Sequence, residues 1–522
     1  MIAASPDALP NDVDALHALV LAERAEKRLL IEERDELNAA NEKLHHLIAV
    51  LRRARFGRKS ERLSEDQLAL VLEELETANA KTEAEDEKKD EDLKRERTKK
   101  RRANRGALPA HLQRIEQVIE PQSTLCPCCG KAMHVIGEEK SERLDKVPAI
   151  FRVIVTRRPK YACACGESVA QAPAPPRLIE GGIPTEALIA DVVVSKYANH
   201  LPLYRQAQIF SRQGIPLDRS TLAAWVGAAA AELEPLYERL VAILKGMDKL
   251  FADETRCPVL DPGRGKTKPG YFWALACDNR PWGSQAPPAV IYFYAPGRGG
   301  KHVETLLEGF SGILQVDGYA GYNILVRPDR RGGPVTLAYC WAHLRRRFYE
   351  IAAKGPAPIA QNALERIQKL YKIEEEIHGR PPEERCAVRQ ARARPEIEDL
   401  KSWFEDCLKR VSKSSPVRDA VQYGLNQWDG LIRFLDDGRI EIDSNSVERS
   451  MRPIALNRKN SLFAGHDQGA NNWACLASLI ETCKLNSVNP NTWLTDVLTK
   501  LVNRWPARRI DELMPWAYAA TL

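Results

Sequence analysis

Apolar, aromatic-rich runs alternate with polar turns through the middle of the chain: "MDKLFADE", "GYFWALACDN" and "PAVIYFYAP" follow one another, separated by Gly, Pro and polar residues. Runs this short, bounded by turn formers, predict three successive strands in a meander. The period then lengthens. "KHVETLLEGF" predicts a helix, "GILQV" and "VTLAYCW" a fourth and a fifth strand, and "AHLRRRFYEIAAK" another helix. Beyond it, residues 354 to 440 are rich in Glu, Lys, Arg, Leu and Ile at helical spacing, most clearly in "ALERIQKLYKIEEEIHG". This stretch predicts a helical insertion packed beside the strands.

Two aspartates close apolar runs here, Asp253 in "KLFADET" and Asp317 in "GILQVDGYAGY", and Glu448 follows in the helical "EIDSNSVERSMRP". Strands ending side by side would carry both aspartates to one edge of a sheet, and Glu448 would join them from a helix. The order of strands, helices and acids is that of a ribonuclease H-like fold. Three like charges held together repel unless divalent cations neutralise them, so the cluster reads as a site for two magnesium ions, suited to phosphodiester cleavage and transfer. Among 71 acidic residues, three carboxylates alone would be ordinary solvated charge. Arg449, Arg452, Arg458 and Lys459 around Glu448 are candidate DNA contacts, with plain surface ion pairs as the alternative. Cys340 and His343 make a C-x-x-H with no second pair nearby, which leaves His343 as a structural or DNA-contacting residue.

Towards the N-terminus Leu30, Leu37, Leu44 and Leu51 recur every seventh residue, with Leu16 in phase, as in a leucine zipper. The other core position reads Val20, Lys27, Arg34, Asn41 and Ile48, and its polar members favour a parallel two-stranded register. Self-association into a homodimer or higher oligomer is the expectation, and a lone amphipathic helix the alternative. "RRARFGRKSER" follows, then a charged, aromatic-free stretch ending in "KRERTKKRRANRG" that cannot bury a core and reads as a flexible linker with a basic end.

Cys126 and Cys129 form a C-x-x-C, and Cys163 and Cys165 supply a second pair; together they read as a tetrahedral zinc site, with Cys128 as a competing ligand and reduced buried thiols or a decayed site as the alternative. Such zinc would staple a small domain and take no part in chemistry. In "LYRQAQIFSRQGIPLDRSTLAAWVGAAA" a helix, a turn at Gly214 and a second helix capped by Asp218 or Ser220 resemble a helix-turn-helix. Arg219 and Ser220 would sit at its groove-facing start. A helical hairpin without DNA contact fits the same pattern.

With 522 residues and 44% hydrophobic content, the chain exceeds what one core organises. No run is long enough to span a membrane, and the N-terminus lacks the basic start and apolar stretch of a signal peptide. The expected setting is therefore cytoplasmic, at the nucleoid, where the 12 cysteines stay reduced and clustered ones point to metal. A net charge of +6 is modest, and its concentration in short basic runs matters more.

Taken together, "FGRKSER", "CPCCGKAMHVIGEEKSERLDKVPA", "RRPKYACAC", "LQVDGYAGYN", "CWAHLRRRF" and "RPIALNRKNSLFAG" resemble the transposases of the insertion sequence 66 family, over nearly the whole length. The resemblance implies a DDE transposase with Asp253, Asp317 and Glu448 as catalytic triad, DNA as substrate and small accessory proteins as partners. Two departures stand out. Ser444 occupies a position where the family usually has Asn, and Cys163 and Cys165 stand where C-x-x-C is usual. The expected organisation is a multidomain α/β chain: coiled coil 13–55, charged linker 56–106, zinc-binding domain 107–180, helix-turn-helix-like segment 181–245, ribonuclease H-like catalytic domain 246–353 resumed at 441–480, helical insertion 354–440 and C-terminal helices 481–522. A nuclease or resolvase on the same fold, and a catalytically dead DNA-binding repressor, are the rival readings.

Overall fold

In the computed structural model, residues 182–261, 266–461 and 464–519 are described, with shorter stretches at 12–14, 17–18, 20–28, 30, 90–104, 151–162, 169–171 and 173–179. Two compact units divide at residue 157. In the first, the described residues between 13 and 30 are helical, while Leu16, Leu37, Leu44 and Leu51 of the zipper pattern lie outside the described residues. So do Cys126, Cys128, Cys129, Cys163 and Cys165.

One expectation for this unit is corrected. Helix α1, Glu91–Asn104, occupies the stretch read as a flexible linker. Asp90 caps it, its Oδ1 accepting from the amides of Asp92 and Leu93 at 2.9 and 3.0 Å, and Glu91 and Asp92 stand at the positive end of the helix dipole. Glu, Lys and Arg are good helix formers. High charge density forbids a core, but with a cap and aligned end charges it does not forbid a helix.

The second unit begins with a short hairpin, β1 Lys160–Ala162 and β2 Val169–Gln171, and continues through α2 Glu186–Tyr197, α3 Leu203–Arg212 and α4 Arg219–Lys245. Then come β3 Lys249–Arg256, a small hairpin of β4 Val259–Asp261 and β5 Lys266–Lys268, β6 Tyr271–Cys277 and β7 Ala289–Ala295. Helix α5 Gly300–Leu306, strand β8 Ile313–Val316, strand β9 Thr336–Tyr339 and helix α6 Trp341–Ala352 follow. The five main strands form one sheet in the order β7-β6-β3-β8-β9. The meander β3, β6, β7 is antiparallel, and β8 and β9 run parallel to β3. These strands match the five predicted runs; the hairpin β4–β5 was not predicted.

Leu250, Phe251, Phe272, Ala274, Val290 and Ile291 are all inaccessible or nearly so, which requires cover on both faces of the sheet. One cover comes from α13, Asp467–Leu485, and from α4. Here the Ser478 hydroxyl accepts from the Tyr292 amide at 2.7 Å, and Thr482 Oγ1 bonds both the amide and the carbonyl of Val290. Tyr237 of α4 donates its hydroxyl to the Tyr292 carbonyl at 2.6 Å. Helix α13 runs through residue 480, where the catalytic segment was expected to end, because its buried face continues past that point. Helix α14, Pro490–Val502, packs on α2, and α15, Pro515–Ala519, on α13.

The insertion is helical throughout and packs at the β9 side of the sheet: α7 Pro358–Glu376, α8 Pro382–Val388, α9 Arg394–Arg410, α10 Pro416–Asn426 and α11 Trp428–Ile432, with a π-helical turn at Arg389–Ala393. These helices share a core with α6 and the β9 edge, in which Trp341, Phe348, Phe404 and Trp428 pack ring to ring. Finally α12, Asn445–Ser461, lies against β3 and β6 and carries Glu448 in its first turn.

Candidate active site

Asp253 sits in β3 and Asp317 directly follows β8. The parallel register pairs Phe251 with Gln315, so two residues further along each strand Asp253 and Asp317 come level with each other at one edge of the sheet. Burial raises the Asp253 carboxyl most, and the charges of Glu254, Asp317 and Glu448 raise it further, to about 7. The Glu254 amide, 2.8 Å from Asp253 Oδ1, pulls the other way. The charges of Asp317 and Glu448 thus both reach the Asp253 carboxyl.

Each is held by contacts of its own. Asp317 Oδ1 accepts from the Tyr319 amide at 2.8 Å, and the Tyr423 hydroxyl donates to the Asp317 carbonyl at 2.9 Å. Gly318 between them has φ of +87° and faces the Gln427 side chain so closely that a Cβ would lie 2.1 Å from its Oε1. No other residue fits there without moving the Asp317 turn. Glu448 is approached by His343 Nδ1 at 3.8 Å and Arg346 Nη2 at 3.7 Å, both from α6, and by the Ser444 hydroxyl at 3.5 Å.

Cys340, His343 and Glu448 bring possible ligand atoms within 4.8 Å of one another, so the partner missing from the C-x-x-H in sequence is supplied in space by Glu448. The thiol accepts from the Ser444 amide at 3.3 Å, and its burial pushes it up to about 11, which works against thiolate coordination.

Next to Asp253, Glu254 has a side chain only 2% exposed. Arg298 Nε meets its Oε1 at 2.7 Å, and the Tyr322 hydroxyl donates to its Oε2 at 2.9 Å. Asp317, Arg298, Tyr319, Tyr423, His343, Arg346, Arg347 and Glu350 line a groove of about 410 Å³. Apart from His343, none of these basic and aromatic residues was singled out from the sequence, although the run "LRRRF" at helical spacing was the available signal.

The predicted DNA contacts fall in several places. Arg219 and Ser220 are exposed at the start of α4, after a turn in which Gly214 has φ of +79°. That second helix is 27 residues long, much longer than a recognition helix needs, because its later turns bury Leu233, Leu236, Leu240 and Leu244. Asp218 is its N-cap, without a side-chain cap bond. On α12, Arg449 reaches Ser446 Oγ at 3.5 Å, and Arg452 and Lys459 are exposed. Arg458 is turned inward: its Nη1 donates to the Arg256 carbonyl and lies 3.4 Å from Thr255 Oγ1, tying α12 to the end of β3.

Family comparisons agree with this architecture. The family model for the Transposase IS66 family matches residues 181–472, more than half of the chain, and the IS66 C-terminal element matches 478–516. The zinc-finger binding domain of transposase IS66 matches 123–166, and a leucine-zipper-type model described as transposase C of IS166 homeodomain matches 43–116. The chain belongs to the IS66 family of transposases, DNA-binding proteins with a structural zinc module. It is similar to the uncharacterized proteins y4qI and y4jD of Sinorhizobium fredii, at 43% identity covering 98% of both chains and at 44% covering 98% of this chain and 97% of the other. A third protein of that organism, uncharacterized protein y4hP, is 37% identical over 90% of this chain and 88% of its own. Among the described residues no helix is long and apolar enough to cross a membrane.

Proposed function

We propose that this transposase is of the DDE type, with a ribonuclease H-like catalytic core, and that Asp253, Asp317 and Glu448 cut DNA at the ends of its element and join them to a target. The observation that carries the reading is the meeting of the three acids at the edge of a sheet ordered β7-β6-β3-β8-β9, whose last three strands are parallel. Three carboxylates offer the hard oxygen donors magnesium prefers, and the raised Asp253 carboxyl marks a cluster whose repulsion a cation would relieve. When bound, two magnesium ions supply activation of the attacking oxygen and stabilisation of the leaving one.

The chain's own residues do the rest. Ser444, His343 and Arg346 orient Glu448, while the Tyr319 amide and Tyr423 fix the Asp317 turn. In the first step a water oxygen bonds to phosphorus and the 3′ oxygen of the strand leaves as a hydroxyl. In the second, that hydroxyl attacks a target phosphodiester and the target's own 3′ oxygen leaves. No covalent bond to the protein is needed. Two ends must be held at once, which the zipper at 13–55 would serve by dimerisation, with Arg219, Ser220, Arg449, Arg452 and Lys459 available to duplex DNA. Zinc on Cys126, Cys129, Cys163 and Cys165 would hold the end-binding domain together, and the setting would be the nucleoid.

The test is incubation of the full chain with magnesium and labelled DNA carrying the element's flanking ends, beside Asp317→Asn. Cleaved 3′ ends that join to a plasmid only with the intact aspartate support the reading. Cleavage without joining would reduce the protein to a nuclease. Specific binding without either, also when the element's accessory proteins are added, would leave a DNA-binding repressor.

A further inference from the structure

Asp317 stands at the middle of a chain of contacts that ends in an arginine on each side. On one side Tyr319, whose amide binds the Asp317 carboxylate, carries the Arg298 guanidinium 3.9 Å above its ring and donates its hydroxyl to the Arg298 carbonyl at 2.9 Å. On the other, Tyr423, whose hydroxyl binds the Asp317 carbonyl, carries the Arg347 guanidinium 3.8 Å above its ring. The four residues come from separate parts of the chain: the β7–α5 loop, the turn after β8, α6 and α10. All of these residues line the groove at Asp317.

An arginine stacked on a ring has lost its rotamer freedom in advance and keeps its in-plane N–H groups for an oxyanion. Arg298 is further fixed by the buried Glu254, which takes its Nε and Nη2 and leaves Nη1 outside that pair. Each ring has one face covered by a guanidinium plane, which favours phosphate contact over base stacking on that face. Glu350 is the one acid besides Asp317 in the groove's lining, against Arg298, Arg346 and Arg347; Arg298 is paired with Glu254 and Arg346 stands 3.7 Å from Glu448, which leaves Arg347 as the third guanidinium.

We propose that Arg298 on Tyr319 and Arg347 on Tyr423 form a clamp for the sugar-phosphate backbone of a single DNA strand, gripping one phosphate on each side of the phosphodiester presented to Asp317. The clamp reads no sequence. It sets which phosphodiester of the strand faces the acids, and it rests on the reading of that site as a strand-cleaving centre.

The experiment measures binding of labelled single-stranded oligonucleotides to the full chain in calcium, so that no strand is cut, across a range of salt. Arg347→Ala, an exposed position, is expected to weaken binding about fivefold and to lower the slope of log affinity against log salt by about 0.7, the loss of one phosphate contact. Arg298→Lys keeps the charge and the partner of Glu254 but not the flat fork, and is expected to weaken binding about threefold. Arg331→Ala, on an exposed arginine paired with Glu308, serves as control and should change nothing. In oligonucleotides with single neutral methylphosphonates, one position should cost wild type as much as Arg347→Ala does and cost the variant nothing more. Unchanged affinity and slope in Arg347→Ala, or no methylphosphonate position that cancels its effect, would overturn the clamp. Binding as expected without cleavage in magnesium would instead count against the transposition chemistry and leave the clamp standing.

Discussion

Gln315 holds both backbone polar groups of Glu441: its Nε2 donates to the Glu441 carbonyl at 2.8 Å, and its Oε1 accepts from the Glu441 amide at 2.9 Å. The carboxamide is wholly buried and acts as one more rung of the sheet, joining positions 126 residues apart. Gln315 lies two residues before Asp317, and Glu441 seven before Glu448. Around this contact Lys249 Nζ donates to the Arg439 carbonyl at 2.7 Å and the Trp341 amide to the Ile442 carbonyl at 3.0 Å. From the insertion, buried Arg385 bonds the Glu441 carboxylate at 2.8 and 3.1 Å. The segment that enters α12 is thereby fixed to β3, β8, α6 and the insertion together.

Loss of that grip is expected to act on the metal site. Gln315→Leu leaves the backbone of Glu441 unpaired, at about 1–3 kcal/mol of stability, and frees Glu448 from register with Asp317. The magnesium concentration for half-maximal strand cleavage should rise about 10-fold or more, while binding of the same DNA in calcium stays near wild type. Equal loss of both would mean a general packing defect.

The raised carboxyl of Asp253 has a consequence for stability. Its folded value, about 7, lies above its ordinary 3.8, so between those limits the folded chain binds the extra proton and stability falls as pH rises. Asp253→Asn removes this burden. Thermal melts in chelator should show the variant little different from wild type near pH 4, gaining through the window up to about pH 7 and constant above it, by on the order of 1–2 kcal/mol after allowance for solvent screening. A variant that melts below wild type at pH 8 would contradict this.

The basic residues on α12 and α4 should divide by role. Arg458→Ala cuts the tie to the end of β3 and should lower stability by about 1–2 kcal/mol, read as a lower melting temperature. Arg219→Ala, at an exposed position, should leave the melt unchanged and weaken binding to element-end duplex several-fold if the α3–α4 pair contacts DNA.

Buried charge in the insertion should be costly to break. Glu374 receives Arg389 through both of its oxygens, at 2.8 and 2.6 Å, and Arg385 at 3.3 Å. Glu374→Ala would leave two buried guanidinium groups short of a partner and should cost about 3–5 kcal/mol in a denaturant titration.

Zinc content provides a check outside catalysis. Cys126→Ser or Cys129→Ser should abolish bound zinc by elemental analysis, whereas Cys257→Ser, at a buried free thiol, should leave it intact. Retained zinc in the first two would move the ligand set to other residues.

The linear pattern determined a good deal of this protein. Strand-length apolar runs and helical periodicity are local properties, and the five strands, α6 and the helical character of 354–440 follow from them. Asp253 and Asp317 were legible because each closes such a run. The helix at Glu91–Asn104 has the composition of a linker and owes its form to a single capping aspartate, and α4 owes its length to buried leucines that continue well past the helix-turn-helix pattern.

What only the tertiary structure decided is which distant residues meet. Gln315 showed in sequence as one polar residue inside "GILQV", a sign that a buried partner must exist, since an unpaired carboxamide in a core is costly. Its partner, 126 residues away, has no local signature. Arg298, Tyr319, Arg347 and Tyr423 likewise look like ordinary surface residues, each with its own neighbours. They become a set around Asp317 because four separate segments converge on one sheet edge, and such convergence is fixed by long-range packing, to which spacing along the chain is blind.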